Sequence, residues 1–189
     1  MALPSSRNRT YVHGATIIEA QDMNELQDYL VTLLSTPIEV FVPAAAGEWY
    51  SGGGTVANRA GDLNVAGGVA SEIVGVTASL TVEFPLLVPV GFRLREVKAY
   101  VGANAASAMF LRLMSEGLAG ATKTQRGTMK SSALAATNQT LTIDATSDPS
   151  VMPYTVAAGE AMVAQVQFGT TTPSTQKIRG VSFKYSRFL

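Results

Sequence analysis

Apolar and polar residues alternate one for one through several short segments of this 189-residue chain, and that period permits few structures. In AMFLRLM (108–114), Met109, Leu111 and Leu113 alternate with Phe110, Arg112 and Met114. In GEAMVAQVQF (159–168), Met162, Ala164, Val166 and Phe168 alternate with Val163, Gln165 and Gln167. Successive side chains of a strand leave opposite faces, so each segment has one face to bury and one to wet. SEIVGVTASLTVEF (71–84) does the same at its end, QTLTIDA (139–145) carries Leu141 and Ile143, and KIRGVSFKYSRF (177–188) carries Val181, Phe183 and Tyr185. Turn residues separate the segments, and no helix alternates with them as a parallel sheet requires. Seven to nine short strands are expected. The fold class that follows is mainly β: an antiparallel β-sandwich, jelly-roll-like or a related Greek key.

Three segments carry finer signals. In GFRLREVKAYV (91–101) the apolar phase slips by one residue at Arg95-Glu96, which a β-bulge would explain. Pro85 and Pro89 demote the stretch around them to a strand edge or a turn. The small residues of 46–70 read as a glycine-rich loop or irregular ribbon, and 116–138 reads as loop with a strand near Lys123–Met129.

One stretch departs from period two. Residues 1–15 read as an extended polar arm, followed by GATIIEAQDMNELQDYLVTLL (14–34), where Met23, Leu26, Leu30 and Leu33 recur at spacings of three, four and three. That is the seam rhythm of a coiled coil. Thr16 and Glu19 have capping-box spacing, with Ala20 as an alternative start, and Pro37 ends the helix. Two heptads are too short to stand alone. The stripe therefore packs on the chain's own sheet or meets identical chains about an axis. Residues 1–37 form an arm and an amphipathic helix for docking and oligomerisation, and residues 38–189 form the sandwich domain.

Composition removes whole classes of function. There is no cysteine, so disulfides, thiolate metal sites and cysteine nucleophiles are excluded. Net charge is zero, which gives no field for nucleic acid. The signs are nevertheless segregated. Residues 1–90 hold nine acids against Arg7, Arg9 and Arg59, and residues 91–189 hold eleven bases against five acids. Either the halves neutralise each other within one fold, or they complement one another between copies. The opening MALPSSRNRT lacks a signal-peptide core, and EFPLLVPVGF (83–92) is too short and too broken by proline to enter a membrane.

No residue set dictates a reaction, so no catalytic residue, metal or cofactor is expected. The single histidine, His13, lies in the arm without a partner nucleophile. Asp144 and Asp148 read as turn residues beside Pro149 rather than a calcium loop. Glu48, Asp62, Glu72 and Glu83 could in principle supply a glycosidase pair, but acids pair by chance in any chain of this length. SGGGT (51–55) lacks the lysine and following helix of a phosphate loop. Arg93, Arg95, Lys98, Arg112, Lys123, Arg126 and Lys130 read as a solvated face with acids between them. Trp49-Tyr50 is the one aromatic pair that could stack on a sugar, or it anchors a loop.

The segment GATIIEAQDMNELQDYLV resembles a recurring element near the N-terminus of tailed-bacteriophage structural proteins, tail fibres and decoration or appendage proteins among them. Ile18, Ala20, Met23, Asn24, Leu26, Gln27 and Leu30 match that element, and FPLLVPVGFRLREVKAYV and IRGVSFKYSRF look like sandwich domains of the same class. The resemblance implies a non-enzymatic virion component that forms a homotrimer through Met23, Leu26, Leu30 and Leu33 and contacts other virion proteins. A second expectation, of a different class, is a carbohydrate-binding module that recognises host-surface glycans, with Trp49 and Tyr50 as its platform.

Overall fold

Residues that alternate in the sequence alternate in space. The structure, a computed structural model, describes residues 20–50, 63–66, 70–75, 78–117 and 123–187. They belong to two units, one ending at Thr36 and one beginning at Pro37.

The first unit contains α1 (Ala20–Ser35). Its last turn is closed by side chains: Ser35 Oγ donates to the Val31 carbonyl (2.6 Å) and Thr36 Oγ1 to that of Thr32 (2.8 Å). The Thr32 carbonyl also accepts from Thr36 N (3.1 Å), and Pro37, with no N–H to donate, ends the ladder there. Leu26, Leu30 and Leu33 are 51%, 44% and 54% exposed, so the apolar stripe is open to solvent. The Met23 side chain lies outside the described residues.

The second unit is an antiparallel β-sandwich with jelly-roll-like topology. Its strands are β1 (Ile38–Pro43), β2 (Glu48–Tyr50), β3 (Leu63–Ala66), β4 (Ala70–Val74), β5 (Thr81–Leu86) and β6 (Arg93–Gly102). They continue as β7 (Phe110–Gly117), β8 (Lys123–Ser131), β9 (Asn138–Asp144), β10 (Tyr154–Thr155), β11 (Glu160–Gln167) and β12 (Lys177–Ser186). One sheet has the order β2-β5-β11-β7-β8. In the other, β12 lies between β6 and β4, with β1 also on β12, β9 and β10 on β6, and β3 beyond β4.

Twelve described strands exceed the seven to nine expected. Strands share columns: β1 pairs with Gly180–Tyr185 of β12 while β4 pairs with Lys177 and Ile178. The supposed glycine-rich loop also contains β2 and β3, because the edges of β5 and β4 supply ladder bonds that local composition does not announce.

Inward residues of both sheets make one core, in which Phe84, Phe168 and Phe183 are almost fully buried among Val82, Leu94, Leu111, Leu113, Val166 and Val181. Burying a phenylalanine of this kind stabilises by about 1.5–3 kcal/mol. The slip at Arg95 is a bulge: Lys184 pairs with Glu96 and Tyr185 with Leu94, leaving Arg95 as the extra residue. A second bulge leaves Arg179 unpaired before Gly180, whose φ of +144° lets Phe41 lie against bare backbone. Pro85 does sit in a strand, but beyond Glu83, where β2 has ended and no partner needs its N–H on that side.

The segregated charges meet inside this unit. Glu72 binds Lys177 (2.8 Å) and Arg179 (2.7 Å), Glu83 binds Lys123 (2.5 Å), and Glu39 approaches Lys184 (3.8 Å). Each pair joins an acid of the first half to a base of the second.

Candidate functional site

Register across the five-stranded sheet sorts its outward residues into rows. One row runs Glu48, Glu83, Gln165, Arg112 through β2, β5, β11 and β7. The next runs Thr81, Gln167, Phe110 and then Ser131 of β8. A third runs Pro85, Val163, Met114, Gln125. Polar amides, a guanidinium, a ring and apolar side chains thus share one face.

That face is curved inward. Lys123 of β8 bonds to Glu83 of β5 at 2.5 Å, though β7 and β11 stand between them. Three strand steps in a flat sheet are ~14 Å, and the two residues are also offset along the strands, so extended side chains could not meet. The sheet curls until β8 overhangs β5. Partial burial agrees: Phe110, Arg112, Met114, Glu116, Val163, Gln165 and Gln167 are all half-buried although they face away from the core.

Within the hollow, Glu83 is 7% exposed. Its Oε2 accepts from Lys123 and its Oε1 from Gln165 Nε2 (2.6 Å). Glu116 stands 4.0 Å from the same ammonium. Glu48 and Glu83 are opposed in register, which makes them the nearest approach to the carboxylate pair considered from sequence. Both Glu83 oxygens are thus engaged. Glu72, the other described candidate, belongs to the opposite sheet and is bound by two bases. Its pKa is lowered, chiefly by hydrogen bonds from Lys177 and Arg179.

A second polar cluster ties the sheets together at one end. Tyr154 donates to Glu160 Oε1 (2.6 Å), Arg126 Nη2 reaches the same oxygen (3.2 Å), and Ala157 N donates to Oε2 (3.1 Å). The Arg126 guanidinium also lies 5.3 Å from the centre of the Tyr154 ring, and its Nε donates to Ser115 Oγ (2.8 Å). Burial pushes the Glu160 pKa up, but the bonds from Tyr154 and Ala157 outweigh it and leave it lowered. Burial first, then the bond to Glu160, raises that of Tyr154. These shifts hold both groups in their bonded states, as a structural tie.

The remaining sequence candidates are placed as follows. Trp49 pairs with Val82 and Tyr50 with Thr81 in β2, a strand rather than the loop expected; their side chains lie outside the described residues. His13, Asp62 and 51–55 also lie outside them. Asp144 Oδ1 accepts from Thr146 N (3.0 Å) and Ser147 N (2.7 Å), the turn chemistry expected. Asp148 accepts from Ser150 Oγ within its own turn (2.9 Å) and also receives Thr128 N, fastening its loop to β8. Among the described residues no group of three or more acids or histidines could hold a metal, and no helix is long and apolar enough to cross a membrane. Sequence reasoning missed the face itself, whose only linear signal is the outward set Phe110, Arg112, Met114 and Val163, Gln165, Gln167.

No family model matches the chain, and no curated protein matches it. Among solved structures it is similar to a xylan-binding module CBM15, with 16% identity over 82% of this chain and 99% of that one and a TM-score of 0.49. A family two carbohydrate esterase from Cellvibrio japonicus has 10% identity, 82% and 35% coverage and a TM-score of 0.40. A CBM61 module in complex with beta-1,4-galactotriose has 10% identity, 81% and 88% coverage and a TM-score of 0.33. At these values, ligand and activity have to be argued from the chain's own face.

Proposed function

We propose that this protein is a non-enzymatic glycan-binding module whose site is the hollow face of the five-stranded sheet. The carrying observation is the Lys123–Glu83 bond across three strand steps, which requires the curvature. A sugar ring offers an apolar C–H face and a rim of hydroxyls that both donate and accept. The hollow answers with Phe110, Met114 and Val163 for the first and with Gln165 and Gln167 for the second.

A glycan array tests it. Wild-type protein should retain a defined set of oligosaccharides, and the double variant Phe110→Ala, Gln167→Ala should lose them. Lys98→Ala, on the opposite sheet, should bind as wild type. Equal binding by wild type and the double variant would refute the site.

A second reading rests on a different observation. The solvent-open Leu26, Leu30 and Leu33 of α1 favour self-assembly, as in a virion fibre, decoration or appendage protein built as a homotrimer. Asp22, Glu25 and Asp28 fall outside the seam positions, so copies can bury the leucines without stacking acids there. The two readings are compatible: a helix that multiplies copies would raise the avidity of a weak glycan site.

A further inference from the structure

Resting on the glycan-binding reading, the geometry points to an acidic oligosaccharide as the ligand, with Arg112 gripping its carboxylate or sulfate. Arg112 occupies the fourth strand of the row Glu48, Glu83, Gln165, Arg112 and is half-buried in the hollow. Among the described residues no hydrogen bond or ion pair joins it to another side chain. The other charges of the hollow are already committed. Lys123 holds Glu83 at 2.5 Å and stands 4.0 Å from Glu116, and Gln165 holds the second Glu83 oxygen.

The contrast with the other bases of this sheet is chemical. Lys123 is bound to an acid, Arg126 to Glu160 and Ser115, and Lys130 to the Ser147 carbonyl. A partly desolvated guanidinium loses hydration, and an oxyanion can replace it through two parallel hydrogen bonds. Guanidinium geometry matches a carboxylate or sulfate better than the single hydroxyls of a neutral sugar. Gln165 stands beside it in register, with an amide able to bond the neighbouring ring hydroxyl. Phe110 and Met114, two residues away on the same face of β7, give the sugar ring an apolar bed.

Calorimetry with three probes tests the inference: hexagalacturonate, its fully methyl-esterified form and xylohexaose. An array of uronate, sulfated and neutral oligosaccharides is run beside them. The expected result is uronate or sulfated-glycan binding by wild type that weakens at least tenfold on methyl-esterification, on raising the salt to about 0.5 M, or in Arg112→Gln. Arg112→Lys should recover only part of the loss, since it keeps the charge without the fork. Binding confined to neutral glycans, or acidic binding unchanged in Arg112→Gln, overturns the role of Arg112 while leaving the glycan site standing. No binding of any glycan, acidic or neutral, overturns both. Circular dichroism and the urea midpoint of Arg112→Gln separate lost contact from lost fold.

Discussion

Lys123 Nζ lies 2.5 Å from Glu83 Oε2, with β7 and β11 between their strands. This contact makes the outward face of the five-stranded sheet a hollow, and it also constrains what substitution there does. Glu83 is nearly buried, so removing its cation leaves a desolvated carboxylate with one amide for support. Lys123→Met is expected to cost about 1–3 kcal/mol in urea unfolding. Adding Glu83→Gln to that variant should return part of it, because the orphaned charge goes too. Additive losses would show that the two side chains do not interact.

The carboxylates give a pH dependence with a definite sign. Glu72, Glu96, Glu160, Asp144 and Asp148 all have pKa values lowered in the fold. For Glu96 and Glu160 the bonds overcome an opposing push from burial, whereas for Glu72 and the aspartates bonding leads. Unfolded carboxylates bind protons near pH ~4 while the folded ones do not, so stability is complete above that range and is lost as pH falls through the folded values. Urea midpoints should be flat from about pH 7 to 5 and then fall. Glu72→Gln should lower stability at neutral pH and flatten the acid slope. An unchanged slope would remove Glu72 from the account.

Gly127 explains why β8 is the least regular strand to read. Leu111 pairs with Lys130 but Leu113 with Arg126, so extra residues of β8 bulge around Gly127 at a φ of +75°. A Cβ there would run into the carboxylate of Asp148, which also receives Thr128 N. Gly127→Ala is expected to destabilise by about 1–3 kcal/mol, more than the gain in unfolded-state stiffness returns. Stability equal to wild type in thermal unfolding would contradict the close fit.

The exposed helix stripe makes a separate prediction. If α1 assembles copies, sedimentation velocity of the whole chain should show a trimer, and Leu26→Glu with Leu30→Glu should give monomers with an unchanged sandwich. A wild-type chain that stays monomeric at micromolar concentration would contradict that reading.

How much of this was legible depended on whether the cause was local. Period-two alternation marked β7 and β11 down to the inward residues, because one buried face leaves its print on a linear pattern. The bulge at Arg95 was legible for the same reason: one extra residue flips the apolar phase. β2 was hidden because its bonds come from β5, remote in sequence, and β3 because its hairpin with β4 lies among small residues. The hollow was hidden too. Its defining contact joins residues 83 and 123, and Glu48, Gln165 and Arg112 come into line only through cross-strand register. The charge asymmetry was visible, but only packing showed Glu72 and Glu83 neutralised by bases of the other half.

The central claim is that the curved face of β5, β11 and β7 receives a sugar chain, and nitrogen-15 NMR titration with an array-selected oligosaccharide tests it most directly. The expected result is a set of shifted amides confined to Thr81–Phe84, Phe110–Glu116 and Val163–Gln167, saturating with ligand. Shifts gathered instead on β1, β6 and β12, or none at saturating oligosaccharide, would contradict it.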